Sequence, residues 1–83
     1  MKILYFASLR ARIGKGEETI SLPATVTTLE QLRDYLISLS PAYADALTGT
    51  ARLRAAVNQD FAPWSAPVQD ADEVAFFPPV TGG

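Results

Sequence analysis

The sequence predicts an α+β fold, a mixed sheet with one main helix on one face. Three observations carry that prediction. Apolar, strand-forming runs stand near both ends of the chain, Ile3-Leu4-Tyr5-Phe6 and Val74-Ala75-Phe76-Phe77. One strong helical stripe lies between them, with Leu29, Leu32, Leu36 and Leu39 spaced three and four apart. The order of elements reads strand, strand, helix, then several strands.

The first strand covers residues 2–6, a continuous apolar run with both faces apolar. A short helical turn follows from Ser8, where Leu9 and Ile13 share a face and Gly14 suits a left-handed stop. Gly14-Lys15-Gly16-Glu17 is a turn. Thr19-Ile20-Ser21-Leu22 alternates at period two and predicts a second strand ending before Pro23. Thr27-Thr28-Leu29-Glu30 fits a capping box in which the Thr27 hydroxyl accepts from a free amide and Glu30 reaches back. Pro41 closes this helix and opens a shorter one, with Ser40 as cap and Gly49 as stop. Residues 54–57 read as a third strand leading to a turn at Asn58-Gln59-Asp60. Two prolines make residues 63–67 an edge or loop. Asp70-Ala71-Asp72 is a turn, residues 73–77 are the last strand, and Pro78-Pro79 ends it because neither proline donates to a ladder.

Composition removes most chemistry. The 83 residues contain no Cys and no His. That excludes a disulfide framework, a thiolate nucleophile, a zinc finger and any His-based triad. Seven basic against nine acidic residues give a net charge of −2, which argues against a nucleic-acid binder. No apolar stretch approaches a membrane span and no signal-peptide core opens the chain, so the reading is a cytoplasmic domain. Yet 48% of the residues are hydrophobic, a high share for so small an interior.

One helix covers one side of a sheet. Ile3 and Tyr5 fall on one face of the first strand, Leu4 and Phe6 on the other. Val74 and Phe76 are likewise opposed to Ala75 and Phe77. One of these apolar sets is either capped by loops or exposed for a partner. The tail Pro78-Pro79-Val80-Thr81-Gly82-Gly83 follows the last strand directly. Two prolines favour a stiff extended conformation, after which side chains dwindle to none. Fully extended, these residues reach roughly 20 Å. A frayed terminus is one reading; a probe for a narrow tunnel is the other.

The segment from Ala55-Ala56-Val57-Asn58 through Asp72-Glu73-Val74-Ala75-Phe76-Phe77-Pro78-Pro79-Val80-Thr81-Gly82-Gly83 resembles the small, sulfur-carrier subunits of molybdopterin synthase. Lys2-Ile3-Leu4-Tyr5-Phe6-Ala7-Ser8-Leu9-Arg10 and Thr28-Leu29-Glu30-Gln31-Leu32 resemble them too, so the likeness spans the chain. Diglycine ends are common to ubiquitin-like carriers, whereas Phe-Phe-Pro-Pro-Val is more particular. Ala71 departs from the family's usual Asp-Gly-Asp and leaves the type of that turn open.

The resemblance implies a ubiquitin-like β-grasp domain over residues 1–77 and a flexible tail over 78–83. It implies that the Gly83 carboxylate is the reacting group, with Gly82 beside it. An adenylating, E1-like enzyme would use ATP to activate it, and a sulfur donor protein would convert it to a thiocarboxylate. The large catalytic subunit of the synthase would receive the tail and build the dithiolene of molybdopterin. Phe6, Phe61 and Phe77 match positions that face such partners, with Pro78, Pro79, Val80 and Thr81 entering the partner. The chain itself would bind no cofactor and no metal and would not be an enzyme alone. Sulfur carriers for thiamine or tRNA thiolation, and ubiquitin-like protein modifiers, share the diglycine end and are the alternatives.

Other motifs carry less. Gly14-Lys15-Gly16 lacks the spacing and the Ser or Thr of a phosphate loop. Asp70, Asp72 and Glu73 lack the twelve-residue calcium loop. Arg10, Arg12, Arg52 and Arg54 suit either a partner-facing rim or solvated element ends.

Overall fold

The computed structural model describes residues 1–49 and 52–79. Five strands form one mixed sheet: β1 (Lys2–Tyr5), β2 (Glu17–Thr19), β3 (Arg54–Val57), β4 (Asp60–Phe61) and β5 (Glu73–Phe77). Their spatial order is β2-β1-β5-β3-β4. β5 pairs parallel with β1 and antiparallel with β3, so the last strand lies at the centre of the sheet. Three helices complete the fold: α1 (Ser8–Ile13), α2 (Leu29–Leu39) and α3 (Pro41–Thr48).

Strand alternation decides which side is covered. Ile3, Tyr5, Val74 and Phe76 are all within 1% of full burial and pack with Leu9, Leu29, Leu32, Leu36 and Leu47. The predicted single main helix is α2, but α1 and α3 also supply buried side chains to that face. Phe76 stacks between Tyr5 and Trp64, with ring centroids 6.3 Å from each.

Several expectations shift by a residue or two, each for a local reason. The second strand is Glu17–Thr19, not 19–22. Its register with β1 ends at Thr19 opposite Lys2, and Ile20 donates its amide to the Met1 carbonyl while its own carbonyl accepts from the Met1 amino group. The Leu22 amide donates to the Asp70 carboxylate instead. The helix cap is Thr28, whose hydroxyl accepts from the Gln31 amide at 3.2 Å. Gln31, not Glu30, reaches back, its Oε1 accepting from the Thr27 amide at 2.7 Å. The frame moves because the Leu29 and Glu30 amides are already bonded to the carbonyls of Ala66 and Trp64, in the proline-rich loop. Leu39, at the end of the leucine stripe, is 47% exposed because α2 stops there.

Other signals hold their positions. Gly14 adopts φ 89°, the left-handed conformation that ends α1. Ser40 caps α3 by accepting from the Tyr43 amide. Asp60 belongs to β4, so the hairpin loop is only Asn58-Gln59, with φ 51° and 72°. Two successive positive φ values give the mirror-image turn that matches strand twist. The Asn58 side chain secures it, accepting from the Glu73 amide and donating to Asp72. Ala71 has no positive φ, and the Asp72 amide closes the turn on the Gln69 carbonyl. No glycine is required there.

Candidate functional site

The face of the sheet opposite the helices is open. Register sets its residues in rows. Leu4 stands beside Ala75, Ala75 beside Ala56, and Ala56 beside Phe61. Toward the end of β5 Arg54 stands directly opposite Phe77, and Phe6, just past β1, lines the same groove as Phe77. Small alanines at the centre leave a groove floored by Ala56 and Ala75 and walled by Leu4, Phe6, Phe61 and Phe77. Gln59 and Glu73 close its polar end. Phe61 and Phe77 meet edge-on, 5.7 Å apart at 61°, and also border a second groove with Arg54 and Pro79.

Three predicted site residues therefore gather on one surface. Phe6 is 48% and Phe61 82% exposed, while Phe77 and the two prolines that follow it are half-buried. Water contact on aromatic rings of this size is costly in a chain that buries comparable rings elsewhere. The backbone at Phe6 is firmly held, its amide donating to the Phe76 carbonyl and its carbonyl accepting from Leu9. Ala7 then takes φ 52° and ψ −127°, a conformation costing about 1–3 kcal/mol for a residue with a Cβ. Val80, Thr81, Gly82 and Gly83 lie outside the described residues.

The sequence reading set Leu4 and Ala75 on one of the two candidate faces without naming them as site residues, and it missed Ala56 and Gln59 as parts of the groove. It also missed a polar cluster on the helix side. Glu18 Oε2 accepts from the Tyr5 hydroxyl at 2.7 Å and the Tyr43 hydroxyl at 2.5 Å, and Lys15 Nζ stands 3.4 Å from Oε1. Partial burial pushes the Glu18 carboxyl up, but the two phenol hydrogen bonds and Lys15 outweigh it and hold it below the usual range. Burial, then the adjoining carboxylate, pushes the Tyr5 phenol far up. The cluster is internally satisfied, lines neither groove, and ties β1, β2 and α3 together. Only a hint of it was legible: a Tyr on a buried strand face needs a partner for its hydroxyl.

The acidic turn is occupied by its own backbone. Asp70 accepts from the Leu22 amide and Asp72 from the Gln69 amide. The Leu22 bond, with the Met1 amino group, holds the Asp70 carboxyl down. Among the described residues no group of Asp and Glu side chains could hold a metal ion, and no helix is long and apolar enough to cross a membrane.

Residues 3–83 match the ThiS family. The chain belongs to that family. It is 42% identical over 83 residues to the molybdopterin synthase sulfur carrier subunit of Escherichia coli (strain K12), covering all of this chain and 99% of that relative. This ThiS-family member is a sulfur carrier subunit of molybdopterin synthase, not catalytic itself. The crystal structure of SAMP1 from Haloferax volcanii shares its β-grasp fold, with TM-score 0.77, 23% identity and coverage of 100% and 98%. A protein–protein complex of subunits 1 and 2 of the molybdopterin-converting factor from Helicobacter pylori contains a similar chain. That likeness has TM-score 0.64 and 23% identity and covers 99% of this chain and 96% of the other.

Proposed function

We propose that the sulfur rides on the carboxyl carbon of Gly83, at the end of a tail formed by residues 78–83 on a domain formed by residues 1–77. An adenylating, E1-like enzyme would join the carboxylate to AMP, and sulfur from a donor protein would displace the AMP to give a thiocarboxylate. The large catalytic subunit of the synthase would take up Pro78, Pro79, Val80, Thr81, Gly82 and Gly83 and pass the sulfur to the pterin dithiolene. Glycine suits both final positions because a Cβ would obstruct a close-fitting channel. The cycle would run in the cytoplasm, with ATP drawn on for the activation step.

The observation that carries this reading is the placement of Phe6, Phe61 and Phe77 on an uncovered face beside the point where the tail leaves β5. A partner that buried these rings would draw in the tail at the same time. The Helicobacter pylori relative, found in complex with subunit 2, supports such an assembly. The test is co-expression with the activating and large subunits, followed by intact mass measurement. Exchange of one terminal oxygen for sulfur is expected, and deletion of Gly83 should abolish it while the domain still folds. A Gly83-deleted carrier that sustained dithiolene formation would overturn the proposal.

A further inference from the structure

Four of the five arginines, Arg10, Arg12, Arg52 and Arg54, lie in segments at the end of the sheet from which the tail departs. Arg54 begins β3 opposite Phe77, the last residue of β5. Arg52 precedes β3, while Arg10 and Arg12 lie in α1, which follows β1. β1 runs parallel to β5, so its end is the same end. The opposite end carries Asp60, at the β3–β4 hairpin, and Asp70, Asp72 and Glu73, at the entry to β5. A chain of net charge −2 is thus polarised along its strands, basic where the tail leaves.

Arg12 donates to the Asp45 carbonyl. Arg10, Arg52 and Arg54 are exposed, and among the described residues none pairs with a carboxylate. Arg54 stands out because it shares a groove with Phe61, Phe77 and Pro79. Covering those rings would strip water from its guanidinium, which is costly without a counter-charge.

We propose that Arg54, with Arg52 beside it and Arg10 farther along the same end of the sheet, forms a basic rim that pairs with carboxylates at the channel mouth of the large subunit that receives the tail. This rests on the reading of the aromatic face as the docking surface. The rim's counter-charge belongs to the mouth and not to the reacting end. Six residues from Pro78 onward extend up to roughly 20 Å, far beyond an arginine side chain rooted opposite Phe77. Phosphate groups of an adenylate at Gly83 are therefore out of its range when the tail is inserted. Charges at such a rim govern encounter rate and orientation.

The test measures association of the full-length carrier with the large synthase subunit by stopped-flow fluorescence at rising salt. Arg54→Glu should slow association about tenfold at low salt and Arg54→Gln about threefold, both with a flatter salt dependence. Circular dichroism checks folding, and Arg54→Gln carries the test should the charge reversal misfold. Phe77→Ser serves as the control for the docking face. If Phe77→Ser weakens binding while both Arg54 variants keep the wild-type rate and salt slope, the basic rim is wrong and the docking face stands. If Phe77→Ser also binds like wild type, the docking face is wrong and the basic rim falls with it.

Discussion

Phe76 and Phe77 are adjacent in sequence and opposite in consequence, and truncating each to alanine separates the core from the proposed docking face. Phe76 is fully buried between Tyr5 and Trp64. Removing it leaves a cavity between two rings, which costs about 3–5 kcal/mol. A domain of this length has a total stability of about 4–12 kcal/mol, so Phe76→Ala removes a large part of it. At roughly 4–8 °C per kcal/mol, the melting temperature should fall by at least about 12 °C. Phe77 is half-buried and has one ring neighbour, Phe61, met edge-on. That contact is worth about 0.5–1.5 kcal/mol, so Phe77→Ala should melt about 2–12 °C below wild type yet lose affinity for the large subunit. Thermal denaturation followed by near-ultraviolet circular dichroism, with binding measured on the same samples, reads both effects. Equal destabilisation by the two variants would refute the assignment of faces, as would a Phe77→Ala protein that binds normally.

Further outcomes follow from the polar groups. Glu18→Gln should lower stability at neutral pH by about 1–3 kcal/mol, because a charged acceptor of two phenol hydrogen bonds is lost. The folded-state Glu18 carboxyl is held below its usual range, so its contribution is present above the unfolded value and disappears as pH falls through the folded one. Urea titrations should thus show wild type and variant converging in acid; parallel curves at all pH values would contradict this. At the head of α2, Thr28→Ala should cost about 1 kcal/mol while Glu30→Ala stays within about 0.5 kcal/mol, measured by thermal melts. The reverse order would restore the capping frame read from sequence.

Those errors of frame show what a sequence makes legible. Leu29, Leu32 and Leu36 could be placed in the core because helical periodicity is a local property, and each is fully buried. Thr27 and Thr28 were both competent caps, and local chemistry could not rank them. The choice fell to carbonyls of Ala66 and Trp64, more than thirty residues away in sequence. The end of β2 was likewise set at a distance, where the Leu22 amide turns to the Asp70 carboxylate. Alternation in β1 and β5 identified the two faces, but not which one the helices would cover. The Glu18 cluster joins residues 5, 15, 18 and 43 and has no local pattern at all.

The central position of β5 also has a mechanical side. A tail fixed to an edge strand could be peeled from the sheet one hydrogen bond at a time. Here the tail continues a strand bonded on one side to β1 and on the other to β3. Tension along the tail loads both ladders in shear, so their bonds must yield together. The same bonds should make the β5 amides among the slowest to exchange with solvent. On the proposed reading, a carrier built this way is drawn tail-first into a tight channel, and pulled free of it, without unravelling.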